Sequence, residues 1–125
     1  MKGMSSLQRD ETGSLAVDFA MIATPLFLLI FGTLEIGQML WYQNALNYSV
    51  EEAARCASID ANNCATSSQI TSYAAGRSGA GFATTVFSTS TPACGNRVSA
   101  SYPMSLAIPF APVSVTLSAQ SCYPK

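Results

Sequence analysis

The chain has 125 residues; 49% are hydrophobic, only 10% are charged, and six Lys and Arg against seven Asp and Glu leave a net charge of −1. Without a histidine, a zinc site built on imidazole and any triad needing a His base are excluded. So few cations also argue against a nucleic-acid partner.

The mean hydropathy of +0.26 is not spread evenly. Leu15 to Leu34 reads LAVDFAMIATPLFLLIFGTL, with Asp18 as its one charge. At about 1.5 Å per residue such a helix is roughly 30 Å long, the hydrocarbon thickness of a bilayer. Pro25 in its middle is tolerated in a membrane helix and costly in a soluble one. A chain this short could hardly surround so long an apolar cylinder as a buried core helix. A secretory signal would need small residues at a cut after the run, and Gly32-Thr33-Leu34-Glu35-Ile36-Gly37 has no such pattern. Lys2 and Arg9 precede the run, whereas the first basic residue beyond it is Arg55. The positive-inside tendency therefore favours a cytoplasmic N terminus.

Helical spacing continues past the span. Ile36, Met39, Leu46, Val50, Ala53 and Ala57 recur in three- and four-residue steps, with Gln43 as the interruption. Between them lie Gln38, Asn44, Asn47, Ser49, Glu51, Glu52 and Arg55. The membrane helix is thus expected to run on as an amphipathic stalk ending near Ser58, roughly 67 Å in all. The stalk's apolar stripe needs a cover, either this chain's C-terminal part or a neighbouring subunit.

From Ala61 the composition shifts to nineteen Ser and Thr and three charges, Arg77, Arg97 and Lys125. Ser67 to Ala75 is expected to form a short helix capped by Ser67 or Ser68 and broken by Gly76, Gly79 and Gly81. Thr84 to Ser88 is β-rich. Val98, Ala100, Tyr102 and Met104 alternate with polar residues, as do Val113, Val115, Leu117 and Ala119. Both are half-buried strand patterns, joined by IPFAP in an antiparallel connection. Pro103 places the first of them at an edge or on a bulge. The fold class is therefore α+β: a long N-terminal helix with a small antiparallel sheet of about three strands covering the stalk. The expected segments are a leader, 1–13; a transmembrane helix, 14–35; the stalk, 36–60; and an extracytoplasmic domain, 61–125.

Cys56, Cys64, Cys94 and Cys122 all follow the span. An even number in a small, weakly charged domain fits disulfides in an oxidising compartment. Three pairings are open. Cys56–Cys64, closing the stalk's end, with Cys94–Cys122, stapling the C-terminal strands, is favoured. The alternatives are a four-thiolate metal site, for which no C-x2-C pair exists, and buried free thiols.

Gly13-Ser14-Leu15-Ala16-Val17-Asp18-Phe19 puts a glycine before the apolar helix and an acid five residues after it. An acid so deep in an apolar run calls for a partner, although the helix dipole alone also favours one near an N terminus. With GSLAVDFAMIATPLFLLIFGTLEIGQMLWYQNAL, VEEAARCAS and VSVTLSAQS, the chain resembles the type IV pilin-like class, most closely the TadE-like minor pilins of the tight-adherence pilus system. The resemblance implies that a membrane aspartyl prepilin peptidase removes a leader between Gly13 and Ser14. It makes Asp18 the fifth mature residue, where the class normally has Glu. It implies that Asp18 pairs with the terminal amine of a neighbouring subunit. The implied partners are the prepilin peptidase, other pilins, the pilus assembly platform and inner-membrane lipid. The implied location is the inner membrane, with the C-terminal domain periplasmic. No cofactor and no enzymatic activity are expected, because the outer part lacks His and has no acid past Asp60. The alternative is a membrane-anchored binding or adhesion module that never enters a filament.

Overall fold

The computed structural model describes residues 11–107 and 112–125, with side chains from Gly13 onward. Lys2 and Arg9, most of the expected leader, and residues 108–111 of the IPFAP link lie outside the described residues. The first element is the helix α1, Glu11–Ile59. Between Leu34 and Glu35 the chain divides into two compact units.

In the first unit α1 is an apolar rod. Its most apolar eighteen-residue window has a mean hydropathy of 2.1 with none of it buried, which makes it a candidate membrane span. Phe19 and Met21 are 73% and 72% exposed. Pro25 sits inside the helix. The hydroxyls of Thr24 and Thr33 donate back to the carbonyls of Ala20 and Ile30, at 2.8 Å each. Polar groups are thereby satisfied within the segment, as a lipid environment demands.

The second unit is α+β. It adds the helix α2, Ser67–Arg77, a 3-10 turn, Thr84–Val86, and three strands: β1, Phe87–Ser90; β2, Asn96–Leu106; and β3, Val113–Tyr123. The sheet is antiparallel in the order β1-β2-β3. Val113, expected on the buried face, is exposed, but over Val98–Met104 and Val115–Ala119 the expected alternation is observed: Val98, Ala100, Leu117 and Ala119 are buried. They pack in one core with Leu46, Val50, Ala53 and Ala54 of α1, Ala74 of α2, Phe82 and Phe87. Tyr42, Phe82 and Tyr102 form its aromatic end, with ring centroids 4.9 to 5.7 Å apart. Such tilted pairs add about 0.5–1.5 kcal/mol each beyond simple burial.

Several local expectations are corrected. Ile36, placed on the apolar stripe, is 56% exposed. Ser49, placed on the polar face, is fully buried, and its hydroxyl donates to the Ala45 carbonyl. That bond removes the cost of burying it, so a small polar residue fits the core side of a helix. Gln43 does not interrupt the packing; its Nε2 donates to the Ser118 carbonyl of β3 at 2.9 Å. The cap of α2 is Thr66, not Ser67 or Ser68. Thr66 Oγ1 accepts from the Gln69 amide while Gln69 Oε1 accepts from the Thr66 amide, a reciprocal box. Gly76 lies within α2; the chain turns at Gly79 and Gly81, where φ is +63° and +72°. Thr84–Val86 is a 3-10 turn, and the strand begins at Phe87. β2, with Pro103, is the central strand and not an edge. Its partner β1 reaches only from Arg97 to Ala100, while β3 pairs along the whole length, with Pro103 opposite Thr116. At Pro103 the β1 side of the strand is therefore open, and a missing N–H there breaks no ladder on that side.

Candidate processing junction, assembly helix and disulfides

Gly13, Ser14 and Asp18 lie on the first turns of α1, and all three are exposed. Ser14 and Asp18 are four residues apart and so share one helix face. A Cβ placed on Gly13 would meet nothing within 4 Å. The residue is helical and needs no positive φ, so neither packing nor backbone geometry asks for a glycine here. Gly95 is the contrast. Its φ is +119°, and a Cβ there would lie 2.1 Å from the Tyr123 carbonyl oxygen. Gly95 is required by the fold; Gly13, like the helical Gly32, Gly37 and Gly76, is not. A glycine in the first turns of a helix also makes local unwinding inexpensive, and a peptidase needs unwound backbone.

Beyond Asp18 the exposed side chains are apolar up to Leu34 except for Thr24 and Thr33. Gly32 and Gly37 leave open space beside the helix backbone. Such a surface has no use in water and suits lipid or the apolar flank of another helix.

The cysteines form two bridges, Cys56–Cys64 and Cys94–Cys122. No cysteine is free, so the four-thiolate and free-thiol alternatives both fail. Cys56–Cys64 is buried and closes the turn between α1 and α2. In that turn the Asp60 carboxylate accepts from the Asn63 side chain at 2.7 Å and from the amides of Asn63 and Asn62. These bonds, the Asn63 side chain first, hold the Asp60 pKa below its usual value. Cys94–Cys122 joins the β1–β2 connection to the end of β3. Gly95 lies beside it, where its amide donates to the Pro92 carbonyl at 3.0 Å.

Residues 13–55 match the model of the TadE-like protein family. Over this stretch, about a third of the chain, the sequence is similar to that family. No curated protein and no solved structure matches the chain. The TadE-like stretch begins on Gly13 and ends on Arg55. It takes in Asp18, the apolar rod and the core residues of α1, and stops before the first cysteine. Sequence periodicity missed Tyr42 and Gln43 on the core side of this stretch. An aromatic residue one step from Met39 and Leu46 in the stripe was the available signal for Tyr42. Nothing local marked Gln43, whose acceptor lies far along the chain.

Proposed function

We propose that the chain is a minor pilin of a Tad-type pilus. A prepilin peptidase cuts it between Gly13 and Ser14, and it then takes part in pilus assembly. The observation that carries this reading is Gly13: an exposed glycine that the fold does not require, standing at the first TadE-like residue and heading an apolar helix with Asp18. The cut creates an α-amino group at Ser14, cationic near neutral pH. Asp18 is then the one acid near it inside an apolar bundle, where an unpaired carboxylate is strongly unfavourable. Pairing Asp18 with the amine of a neighbouring subunit offsets that cost and sets the register of the subunits.

The N terminus is cytoplasmic and the second unit periplasmic in this reading. Two disulfides support that side for the second unit, since they persist in oxidising compartments. Peptidase, other pilins and the assembly platform are the partners, and the role is structural, not enzymatic. Mass analysis of the N terminus tests the cut. In cells with the peptidase, the chain should start at Ser14. Gly13→Leu should still insert in the membrane and form both disulfides, because its side chain meets open space, but it should keep its leader. A processed Gly13→Leu protein, or a chain that stays intact beside an active peptidase, overturns the proposal.

A further inference from the structure

Charge is segregated along the second unit. No charged residue stands between Glu35 and Glu51, nor between Arg97 and Lys125. Two contacts show that α1 and β3 run in the same direction. Gln43 Nε2 donates to the Ser118 carbonyl, and the Ser58 hydroxyl donates to the Tyr123 carbonyl at 3.4 Å. The start of the second unit on α1 and the start of β3 therefore mark one end of the unit. At the other end lie Lys125 and Arg97, the latter next to Asn96, whose Nδ2 donates to the Ala57 carbonyl at 2.9 Å. Arg77 shares a cleft with Glu52, Arg55 and Asp60. Among the described residues, Glu35 is thus the one charge at the first end.

That end is also apolar on its surface. Ile36, Leu40 and Trp41 of α1 are exposed, and so is Val113, paired with Leu106 at the last rung of β2 and β3. Counted from the Gln43–Ser118 contact, Ile36 stands about 10 Å and Val113 about 16 Å towards this end. Leu40 and Trp41 are about 100° apart around α1. The apolar surface is therefore wider than the single stripe that one partner helix would cover, and it belongs to the end of the unit rather than to one side. A charge-poor apolar patch of this kind marks a contact surface.

The occupant follows from α1. The helix passes without a break from the apolar rod, which ends at Leu34, into this end of the unit. Trp41 is about 10 Å past Leu34 along the helix. A helical side chain leans towards the N terminus of its helix, which brings the indole closer to the rod. The headgroup layer on each side of the hydrocarbon is about 5–7 Å thick. The indole reaches that layer, where tryptophan is enriched because one part of its ring is apolar and the other wet.

We propose that this end of the second unit docks on the lipid headgroup layer, with Ile36, Leu40, Trp41 and Val113 in contact with phospholipid. The charged end is then held away from the membrane, and the height of the unit above it is fixed. The inference rests on α1 spanning a bilayer, and on neither leader removal nor filament entry.

Trp41 is the only tryptophan of the chain, so its fluorescence reads the site directly. The full chain, with both disulfides intact, is reconstituted in phosphatidylcholine vesicles and floated with them. Bromine high on the lipid acyl chain should quench Trp41 at least about twofold more than bromine near the chain's end. Two variants built on Trp41→Phe move the probe. Val113→Trp should be quenched as Trp41 is, whereas Tyr48→Trp, about 10 Å further along α1, should respond to neither brominated lipid. Iodide present on both sides of the membrane should quench Tyr48→Trp at least about threefold more than the other two. A chain that does not float overturns the span and the docking together. A floating chain whose Trp41 is open to iodide overturns the docking alone. Trp41 shielded from iodide yet untouched by brominated lipid means that a second copy covers it, which also overturns the proposal. Quenching of Trp41 without quenching of Val113→Trp reduces the surface to a helix anchor and overturns docking of the unit. If a variant misfolds, Trp41 itself still decides between lipid, water and a second copy.

Discussion

At Gly95 the Tyr123 carbonyl occupies the space a side chain would need, and φ is left-handed. Both constraints fall on one residue beside Cys94. Gly95→Ala should therefore cost at least about 2 kcal/mol, from strain and the forced shift of backbone. It should also lower the yield of the Cys94–Cys122 bridge, because β3 cannot keep its place. Thermal unfolding in micelles and non-reducing peptide mapping read the two effects. Wild-type stability with a full yield of the bridge would mean that Tyr123 has another place to go. Gly13 has neither constraint, and the difference between the two glycines could not be seen in composition. Gln43 is a similar case. In the sequence it breaks an apolar stripe, and in the fold it joins α1 to the Ser118 carbonyl of β3.

Among the elements, α2 shows how local signals mislead by a residue or two. Ser67 and Ser68 are good caps by type, but Thr66 has the capping geometry and the Gln69 partner. Thr66→Ala should cost about 1 kcal/mol, the usual loss for an N-cap. Ser68→Ala, on an exposed side chain, should change stability by less than about 0.5 kcal/mol. Melting of the two variants in the same micelles separates these assignments; equal losses would remove the cap from Thr66. The strands were more legible than the helix ends. Period-two alternation is set by residues in contact with the core; it holds over Val98–Met104 and Val115–Ala119 and fails at the exposed Val113. The position of β2 in the sheet was not legible. Pro103 argues for an edge in isolation. The short reach of β1 creates a local edge within a central strand.

For the whole molecule, the two disulfides act on loops of different length. Their sequence separations are 8 for Cys56–Cys64 and 28 for Cys94–Cys122. Loop-closure entropy then assigns about 2.5 kcal/mol to the first and about 3.5 kcal/mol to the second. Replacing each pair by Ala should therefore leave the Cys94/Cys122 variant the less stable of the two, as read by denaturant unfolding of the second unit. The opposite order would mean that packing around the buried Cys56–Cys64 bridge outweighs chain entropy. The division between Leu34 and Glu35 also belongs to this scale. An apolar rod and a folded α+β unit share one helix, and each has its own environment to satisfy. The low charge of the chain thus has two sources, an apolar candidate span and a weakly charged folded unit.

The sequence by itself determined what depends on neighbours along the chain. The apolar run of membrane length, its single acid, the glycine before it, the strand alternation and an even set of cysteines are local patterns of residue type. They sufficed for the α+β class, the candidate membrane span and the TadE-like resemblance. Tertiary structure decided what depends on neighbours across space. It turned Ile36 outward and Ser49 inward, and it gave Gln43 an acceptor on β3. No periodicity encodes these, because a side chain's surroundings are set by which distant strand or helix arrives beside it.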